Sequence, residues 1–172
     1  ACIRNVFNRK KITPFLDFDK KKYITFKYDM SDHFSISGVQ DKISLKIEKN
    51  KFVPTDINGE YILKPIPETT LPRFQQDVPA NEHLTMQIAK QIFNISTALN
   101  ALIYFKDGEP AYITKRFDRF KNEKIAQEDF CQLLQVSEES RGKNYKYDSS
   151  YEEAATVIQK YCAANKIEME KY

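Results

Sequence analysis

The hydrophobic pattern of this chain changes in character near Asp118. Before that point, several stretches alternate apolar and polar residues, which is the pattern of strands that bury one face of a sheet. After it, apolar residues recur at helical spacing. We therefore expect an α+β chain in two parts, with a sheet-based lobe over residues 1–118 and the first helices of a helical lobe over residues 119–172.

The first part is expected to form an antiparallel sheet of about five strands, a common size for a sheet. Asn58-Gly59 suits a tight hairpin because both residues tolerate positive φ, and it leads directly into a strand. Asp107-Gly108 makes the same prediction between the last two strands. Strands are predicted at residues 23–28, 43–48, 61–64, 101–105 and 111–116.

A helix predicted at residues 79–93 is expected to pack on this sheet. Pro79 can occupy its first turn, and helical spacing places Glu82 on one face with Met86 and Ala89. A broad apolar arc is expected to provide the contact with the sheet. This arc comprises Leu84, Met86, Ile88, Ala89, Ile92 and Phe93.

Helices are also predicted in the second part, at residues 128–134 and 150–164. Ser149 or Ser150 can cap the second of these helices, because acidic residues follow in its first turn. Residues 167–172 favour a helix as well, and neither a glycine nor a proline follows to stop it. The chain is therefore expected to be cut from a longer one.

The composition excludes several classes of protein. The chain has 27 basic and 24 acidic residues, a balance that does not indicate nucleic-acid binding. No apolar run reaches the length of a membrane span, and residues 1–11 lack the apolar core of a secretory signal. The three cysteines are far apart and odd in number, which favours neither disulfides nor a metal site. We expect a cytoplasmic protein without a metal site of its own.

Glycine positions limit the phosphate sites that the chain can build. Glycine occurs only at positions 38, 59, 108 and 142, so neither GxxxxGK[ST] nor GxGxxG can be written. What remains is a loop with Ser35, Ser37 and Gly38, whose hydroxyls and backbone N–H groups could face phosphate oxygens. Taken alone, this segment fits an ordinary hairpin turn better.

A lysine and a glutamate form the second candidate site. Lys64 ends an apolar strand on the same face as Ile62, near the covered face of the sheet, where its ammonium needs an anion. Glu82 on the predicted helix can supply one, and a strand lysine paired with a helix glutamate orients ATP phosphates in kinases. A structural salt bridge, or a Glu82 that favours the helix dipole, explains the two residues equally well.

The third candidate lies where the strands give way to helices. Residues 112–119 run from an apolar strand into Lys115, Arg116 and Phe117, whose backbone groups could hold an adenine. A strand end with surface charges describes the same residues equally well.

In this order, the motifs resemble those of the HipA-type serine/threonine kinases, the toxins of bacterial toxin–antitoxin systems. The resemblance runs from about Ser35 to the C-terminus, and its five ordered motifs make it specific. It favours the compact HipT-like variants, because residues 1–30 are too few for the additional N-terminal subdomain of longer HipA proteins. The motifs are residues 35–42, 61–65, 81–82, 115–119 and 127–132, followed by Lys146-Tyr147.

This resemblance implies a kinase-like N-lobe that binds ATP with Mg²⁺. The loop would cover the nucleotide, Lys64 would bind its phosphates with Glu82 as partner, and the third candidate would be the adenine hinge. Ser35 and Ser37 would be autophosphorylation sites, and phosphate there would repel the nucleotide. The implied ATP-binding residues are Ser37, Gly38, Val39, Gln40, Asp41, Lys42, Lys64, Glu82, Lys115, Arg116 and Phe117.

The resemblance also implies partners. HipA-type toxins phosphorylate a protein substrate, with aminoacyl-tRNA synthetases among the known examples, and are associated with bacterial persistence. A DNA-binding antitoxin accompanies the toxin, and in compact variants a small HipS-like protein replaces the missing subdomain. Direct contact of this chain with nucleic acid or a membrane is not expected.

One departure from the family pattern concerns catalysis. A kinase needs a catalytic Asp with an Asn five residues later, and a second metal-binding Asp. No Asp of this chain has an Asn at that spacing, and the family places these groups in the helical lobe. The expected function is therefore the ATP-binding portion of a HipA-like kinase, inactive alone because it is truncated rather than a natural pseudokinase. The alternative is a non-catalytic interaction module that binds a protein through its sheet edge or residues 68–78; a nucleic-acid-binding domain ranks last.

Overall fold

The computed structural model describes residues 6–7, 12–29, 40–68, 73–120 and 123–172. The chain divides into two compact units, residues 1–124 and residues 125–172. The first contains an antiparallel sheet with helices and the second contains helices, so the expected α+β class is confirmed. Within the described ranges, no helix is both long and apolar enough to cross a membrane.

The main sheet of the first unit has five strands, and each neighbouring pair is antiparallel, as the sequence predicts. These strands are β1 (Ile43–Glu48), β2 (Lys51–Pro54), β3 (Tyr61–Pro65), β4 (Asn100–Tyr104) and β5 (Pro110–Lys115). Their order is β2-β1-β3-β5-β4, which makes β3 the central strand. The register opposes Lys64 of β3 to Tyr112 of β5. A short hairpin of β6 (Arg119–Phe120) and β7 (Glu123–Lys124) follows.

The strand predicted at residues 23–28 is wrong, because these residues belong to helix α1 (Lys20–Asp29). The Asp19 carboxylate caps its first turn by accepting a backbone N–H at 2.9 Å. Helical spacing also places Tyr23 and Phe26 on one face, where both pack against the core. The fifth strand of the sheet is instead β2, which was not among the predicted strands.

The two predicted hairpin turns have different outcomes. Asp107-Gly108 joins β4 and β5 as expected, with Gly108 at a positive φ of 89°. Asn58-Gly59 forms no hairpin, because the strands it connects lie on opposite sides of β1. Its glycine serves close packing instead, since a Cβ at position 59 would lie 1.7 Å from the Ser44 hydroxyl oxygen.

The apolar core lies on one face of the sheet. Along β3, Tyr61 and Leu63 are fully buried in this core, whereas Ile62 and Lys64 point to the other face and are half-buried. Helix α1 and the segment before it cover the core with aromatic side chains. The core comprises Val6, Phe7, Leu16, Phe18, Tyr23, Ile43, Leu45, Phe52, Tyr61, Leu63, Ala101, Ile103, Phe105, Ala111 and Ile113.

Helix α2 (Val78–Gln91) packs on β4 and β5, as predicted for residues 79–93. A 3₁₀ turn, Gln75–Asp77, precedes it. The predicted contact through the apolar arc is wrong for most of its residues: Met86 and Ala89 are half-buried, but the remaining members point to solvent. The exposed members are Leu84, Ile88, Ile92 and Phe93.

The second unit consists of short helices joined by turns. Helices were predicted at residues 128–134 and 150–164, and each region contains one, although a shorter one. A helix also forms near the C-terminus, where the sequence favours it. The helices are α3 (Phe130–Leu133), α4 (Glu138–Arg141), α5 (Tyr151–Tyr161) and α6 (Asn165–Lys171).

An ion pair connects α4 with α5 in this unit. Ser150, one of the two predicted caps, accepts the backbone N–H of Glu153 at 3.2 Å. A carboxylate oxygen of Glu153 also lies 2.5 Å from the Arg141 guanidinium. The hydrogen bond from Arg141 lowers the pKa of Glu153 to about 2.

Candidate functional site

A half-buried ion pair lies between the sheet and α2. The Nζ atom of Lys64 is 2.5 Å from Oε1 of Glu82, so the two residues singled out in the sequence are in contact. Strand β3 presents Lys64 on the face opposite the apolar core, and the first turns of α2 present Glu82 to it. Their side chains are 25% and 22% exposed, so a ligand in solution can reach the pair.

Tyr112 lies next to this pair on the same face of the sheet. It is opposite Lys64 in the register of the sheet, and the Lys64 ammonium lies 5.5 Å from the centroid of its ring. Such a distance allows a cation–π interaction. Burial, with a smaller contribution from the Glu82 carboxylate, raises the pKa of Tyr112 to about 12. Tyr112 was not predicted as a site residue, because its position beside Lys64 depends on strand register.

A second polar cluster connects α2 with β4. Asn100 begins β4 and is only 3% exposed. Its Oδ1 atom accepts hydrogen bonds from His83 Nδ1 at 2.8 Å and from Gln87 Nε2 at 3.2 Å, and its Nδ2 donates to the Ala98 carbonyl at 2.7 Å. This cluster was not predicted from the sequence. The available signal was the spacing of His83 and Gln87, which places both on one helix face.

The predicted nucleotide loop is described only at its C-terminal end. The amide of Gln40 donates to the Pro65 carbonyl at 3.4 Å, which ties this end of the loop to the residue after Lys64. Lys42 then leads into β1. Outside the described residues lie Ser35, Ser37, Gly38 and Val39, including both expected autophosphorylation sites.

Asp41 connects the same end of the loop to α1. Its carboxylate lies 2.8 Å from the Nζ atom of Lys27. This hydrogen bond raises the pKa of Lys27. Both side chains are about one third exposed or less, so the contact is a partly screened ion pair at the C-terminal end of the loop.

The predicted hinge begins at the last residue of β5. The backbone N–H of Lys115 donates to the Leu99 carbonyl at 2.7 Å, and that of Arg116 donates to the Glu60 carbonyl at 2.8 Å. Both amides are therefore occupied within the first unit. Phe117 follows them with its side chain 75% exposed.

Arg116 of the predicted hinge forms a buried ion pair with Asp118. Arg116 donates from Nε and Nη2 to the two carboxylate oxygens of Asp118 at 2.8 and 2.5 Å, and Arg119 lies 3.3 Å from the same carboxylate. The Arg116 and Asp118 side chains are 7% and 6% exposed. Hydrogen bonding from Arg116 lowers the pKa of Asp118. The alternative of a surface charge is therefore wrong for Arg116.

Within the second unit, the motif at residues 127–132 builds a helix start. The Asp129 carboxylate accepts the Gln132 N–H at 2.9 Å, and the Gln132 side chain accepts the Asp129 N–H at 2.7 Å. This capping box gives both residues a structural task. Among the residues whose structure is described, no group of three or more His, Cys, Asp or Glu could hold a metal ion.

Comparison with known proteins places the chain in a family. The family described as "HipA-like C-terminal domain" matches residues 34–172. A Haemophilus influenzae protein named "Putative kinase" is 32% identical over 158 residues. This match covers 88% of the present chain and 44% of the relative, so the chain spans less than half of that protein's length. The resemblance expected from the ordered motifs is confirmed, and the chain belongs to the HipA-like family.

Proposed function

We propose that this chain is the ATP-binding portion of a HipA-like protein serine/threonine kinase. The observation that carries the proposal is the contact of Lys64 with Glu82 on the sheet face opposite the apolar core. In kinases, a strand lysine held by a helix glutamate directs its ammonium toward the nucleotide phosphates. The name of the Haemophilus influenzae relative supports the same class of activity.

The surroundings of Lys64 fit an anionic ligand. Its ammonium is partly exposed, so a phosphate oxygen can form a charge-assisted hydrogen bond with it while Glu82 keeps the side chain in place. Tyr112 remains neutral at physiological pH, because its pKa is about 12, and so adds no negative charge that would repel phosphate.

The adenine is proposed to lie against the hinge. Since the amides of Lys115 and Arg116 already donate to carbonyls, we assign the adenine contact to the backbone of Phe117. The ends of the loop and of β3 meet through Gln40 and Pro65. This contact supports a nucleotide loop, residues 37–42, that approaches the phosphates near Lys64.

The wider role suggested by family membership is part of the proposal. The complete kinase would use ATP with Mg²⁺ in the cytoplasm and act as the toxin of a toxin–antitoxin system. It would phosphorylate a protein such as an aminoacyl-tRNA synthetase, under the control of a DNA-binding antitoxin and a small HipS-like partner. Autophosphorylation at Ser35 or Ser37 would weaken nucleotide binding by charge repulsion.

Calorimetry with Mg-ATP on the purified 172-residue chain tests this proposal. The wild type should bind, and Lys64→Ala should lower the affinity at least about tenfold, because a hydrogen bond to a charged group contributes roughly 1.5–3 kcal/mol. Lys46→Ala is the matched control. Lys46 is also a strand lysine in an ion pair, 2.8 Å from Glu48, but it lies beyond the β1 residues that pair with β3, past the end near Tyr61 and away from Lys64.

Two outcomes would contradict the proposal. If neither the wild type nor Lys64→Ala bound Mg-ATP, the alternative of a non-catalytic interaction module would be favoured. If the two bound equally well, Lys64 would not belong to the nucleotide site.

A further inference from the structure

Helix α2 meets the sheet with little buried apolar surface. Pro79, in its first turn, is the one buried residue of this helix, all of which is described. Leu84 and Ile88 point to solvent. The other apolar side chains are at most half-buried, as Met86 and Ala89 are, so hydrophobic stabilisation, which scales with the apolar area removed from water, is smaller at α2 than in the apolar core. Polar contacts with β3 and β4 therefore have a larger share in holding it.

Asn100 provides the most buried of these polar contacts, and its orientation is fixed by chemistry. The Ala98 carbonyl can only accept, so the Asn100 NH₂ group must face it and Oδ1 must face α2. Since Oδ1 can only accept, His83 must carry a proton on Nδ1 and Gln87 must donate from its NH₂ group. Two donors on successive turns of α2 thus converge on one buried acceptor of the sheet.

The cluster and the pair that is proposed to bind phosphate share helix α2 and one face of the sheet. His83 follows Glu82 in sequence, so a displacement of the helix at His83 also displaces the glutamate. Asn100 is opposite Thr114 of β5, and Tyr112, two residues before Thr114, is opposite Lys64. Because alternate residues of a strand share a face, Asn100, Tyr112 and Lys64 all lie on the same face of the sheet.

We propose that Asn100 is a positioning residue for this pair: through His83 and Gln87 it holds α2 at the distance at which Glu82 contacts Lys64. The inference rests on the proposed function, since it concerns the same nucleotide site. Without the Asn100 side chain, the population in which Lys64 and Glu82 are apart should rise about three- to tenfold, as expected for the loss of roughly one net hydrogen bond.

Chemical labelling of Lys64 measures that population without a nucleotide. A lysine that has lost its carboxylate partner is acylated faster by an N-hydroxysuccinimide ester, and peptide mass spectrometry resolves the rate at this residue. Glu82→Gln should raise the rate at Lys64, and Asn100→Ala should raise it about three- to tenfold. In the Glu82→Gln background, Asn100→Ala should have little further effect, because the contact it positions is already absent.

Ile103→Val is the matched control for a general loss of stability. Ile103 is fully buried on the opposite face of the same strand, and the substitution is expected to cost about 0.5–1.5 kcal/mol without touching α2. Its labelling rate at Lys64 should equal that of the wild type. Equal increases in Ile103→Val and Asn100→Ala would overturn the inference, because loosening would then be general.

Three further results would also overturn the inference: wild-type labelling in Asn100→Ala, wild-type labelling in Glu82→Gln, or fully additive effects of the two substitutions. The calorimetry with Mg-ATP gives a separate answer. If labelling behaves as expected and the wild type binds no nucleotide, the proposed function fails while the positioning role of Asn100 stands. If the wild type binds Mg-ATP, Asn100→Ala should weaken binding and Ile103→Val should not.

Discussion

The two faces of the five-stranded sheet bury their side chains by different means. On one face, Tyr61 and Leu63 lie in an apolar core that aromatic residues cover. On the other, Lys64, Tyr112 and Asn100 lie beside α2, and the charged or polar group of each has a partner. Neighbouring residues of a strand point to opposite faces. Substitutions along β3 can therefore test the apolar core and the candidate site separately.

The position of α2 shows what this difference means for function. A helix held by burial moves only if a core is opened, whereas a helix held by a few hydrogen bonds can shift at a cost of about 1 kcal/mol for each net bond. If Asn100 positions α2 as proposed, the contact between Lys64 and Glu82 can be adjusted on the site face, while the apolar core lies on the other face.

The largest expected effect tests this contrast within β3. Leu63→Ala should lower the free energy of unfolding by about 2–5 kcal/mol, because it leaves a cavity in the apolar core. Ile62→Ala, which changes the neighbouring half-buried residue on the site face, should cost about 1 kcal/mol. Urea unfolding of both variants measures the two losses. Equal losses would show that both faces contribute similarly to the free energy of unfolding through apolar burial.

Much of the fold could be predicted from the sequence, because each of β1, β3, β4 and β5 places alternate apolar residues in the core. The failure at residues 23–28 has a physical cause. A short segment with Tyr23 and Phe26 fits either period, since these two residues also share a helix face. The helix is favoured by the cap that Asp19 provides and by the packing of Tyr23 against Phe105, which is distant in sequence.

The candidate site could be predicted in part. Lys64 and Glu82 were noticeable because each is charged within an apolar pattern. The roles of Tyr112 and Asn100 depend on how β3, β5 and β4 align, which no local pattern specifies. The contact predicted for the apolar arc of α2 was wrong for a related reason. An apolar helix face usually packs on a sheet, but here His83 and Gln87 make the hydrogen bonds to it.

The buried ion pair at the end of β5 sharpens the comparison, because its charged side chains are nearly as buried as those of the core. Arg116 lowers the pKa of Asp118 from its usual value of 3.8. The stabilisation is therefore fully present above about pH 4 and is lost as the pH falls through the lower folded-state pKa. Asp118→Asn should lower the free energy of unfolding by about 1–3 kcal/mol at neutral pH, and should reduce the loss of stability on acidification.

Urea unfolding at neutral pH and below pH 4 measures this difference. Glu48→Gln is the control, since Glu48 pairs with Lys46 at the surface, where an ion pair contributes about 0–1 kcal/mol. A constant difference between Asp118→Asn and the wild type over this pH range would show that the Asp118 carboxylate is not stabilised in the folded state.

The smallest effect at neutral pH is expected for Tyr112→Phe, less than about 1 kcal/mol, because the ring remains and one hydroxyl is lost. The pKa of Tyr112 is about 12 in the folded chain and 10.0 when exposed, so unfolding is favoured between these values as the unfolded tyrosine ionises. Relative to the wild type, Tyr112→Phe should therefore gain stability as the pH rises above 10.

Tyr61, on the apolar face, also has a pKa of about 12 because of burial, and Tyr61→Phe should show the same gain in stability above pH 10. If only Tyr61→Phe did so, water would reach Tyr112, and the site face would be open beneath Lys64.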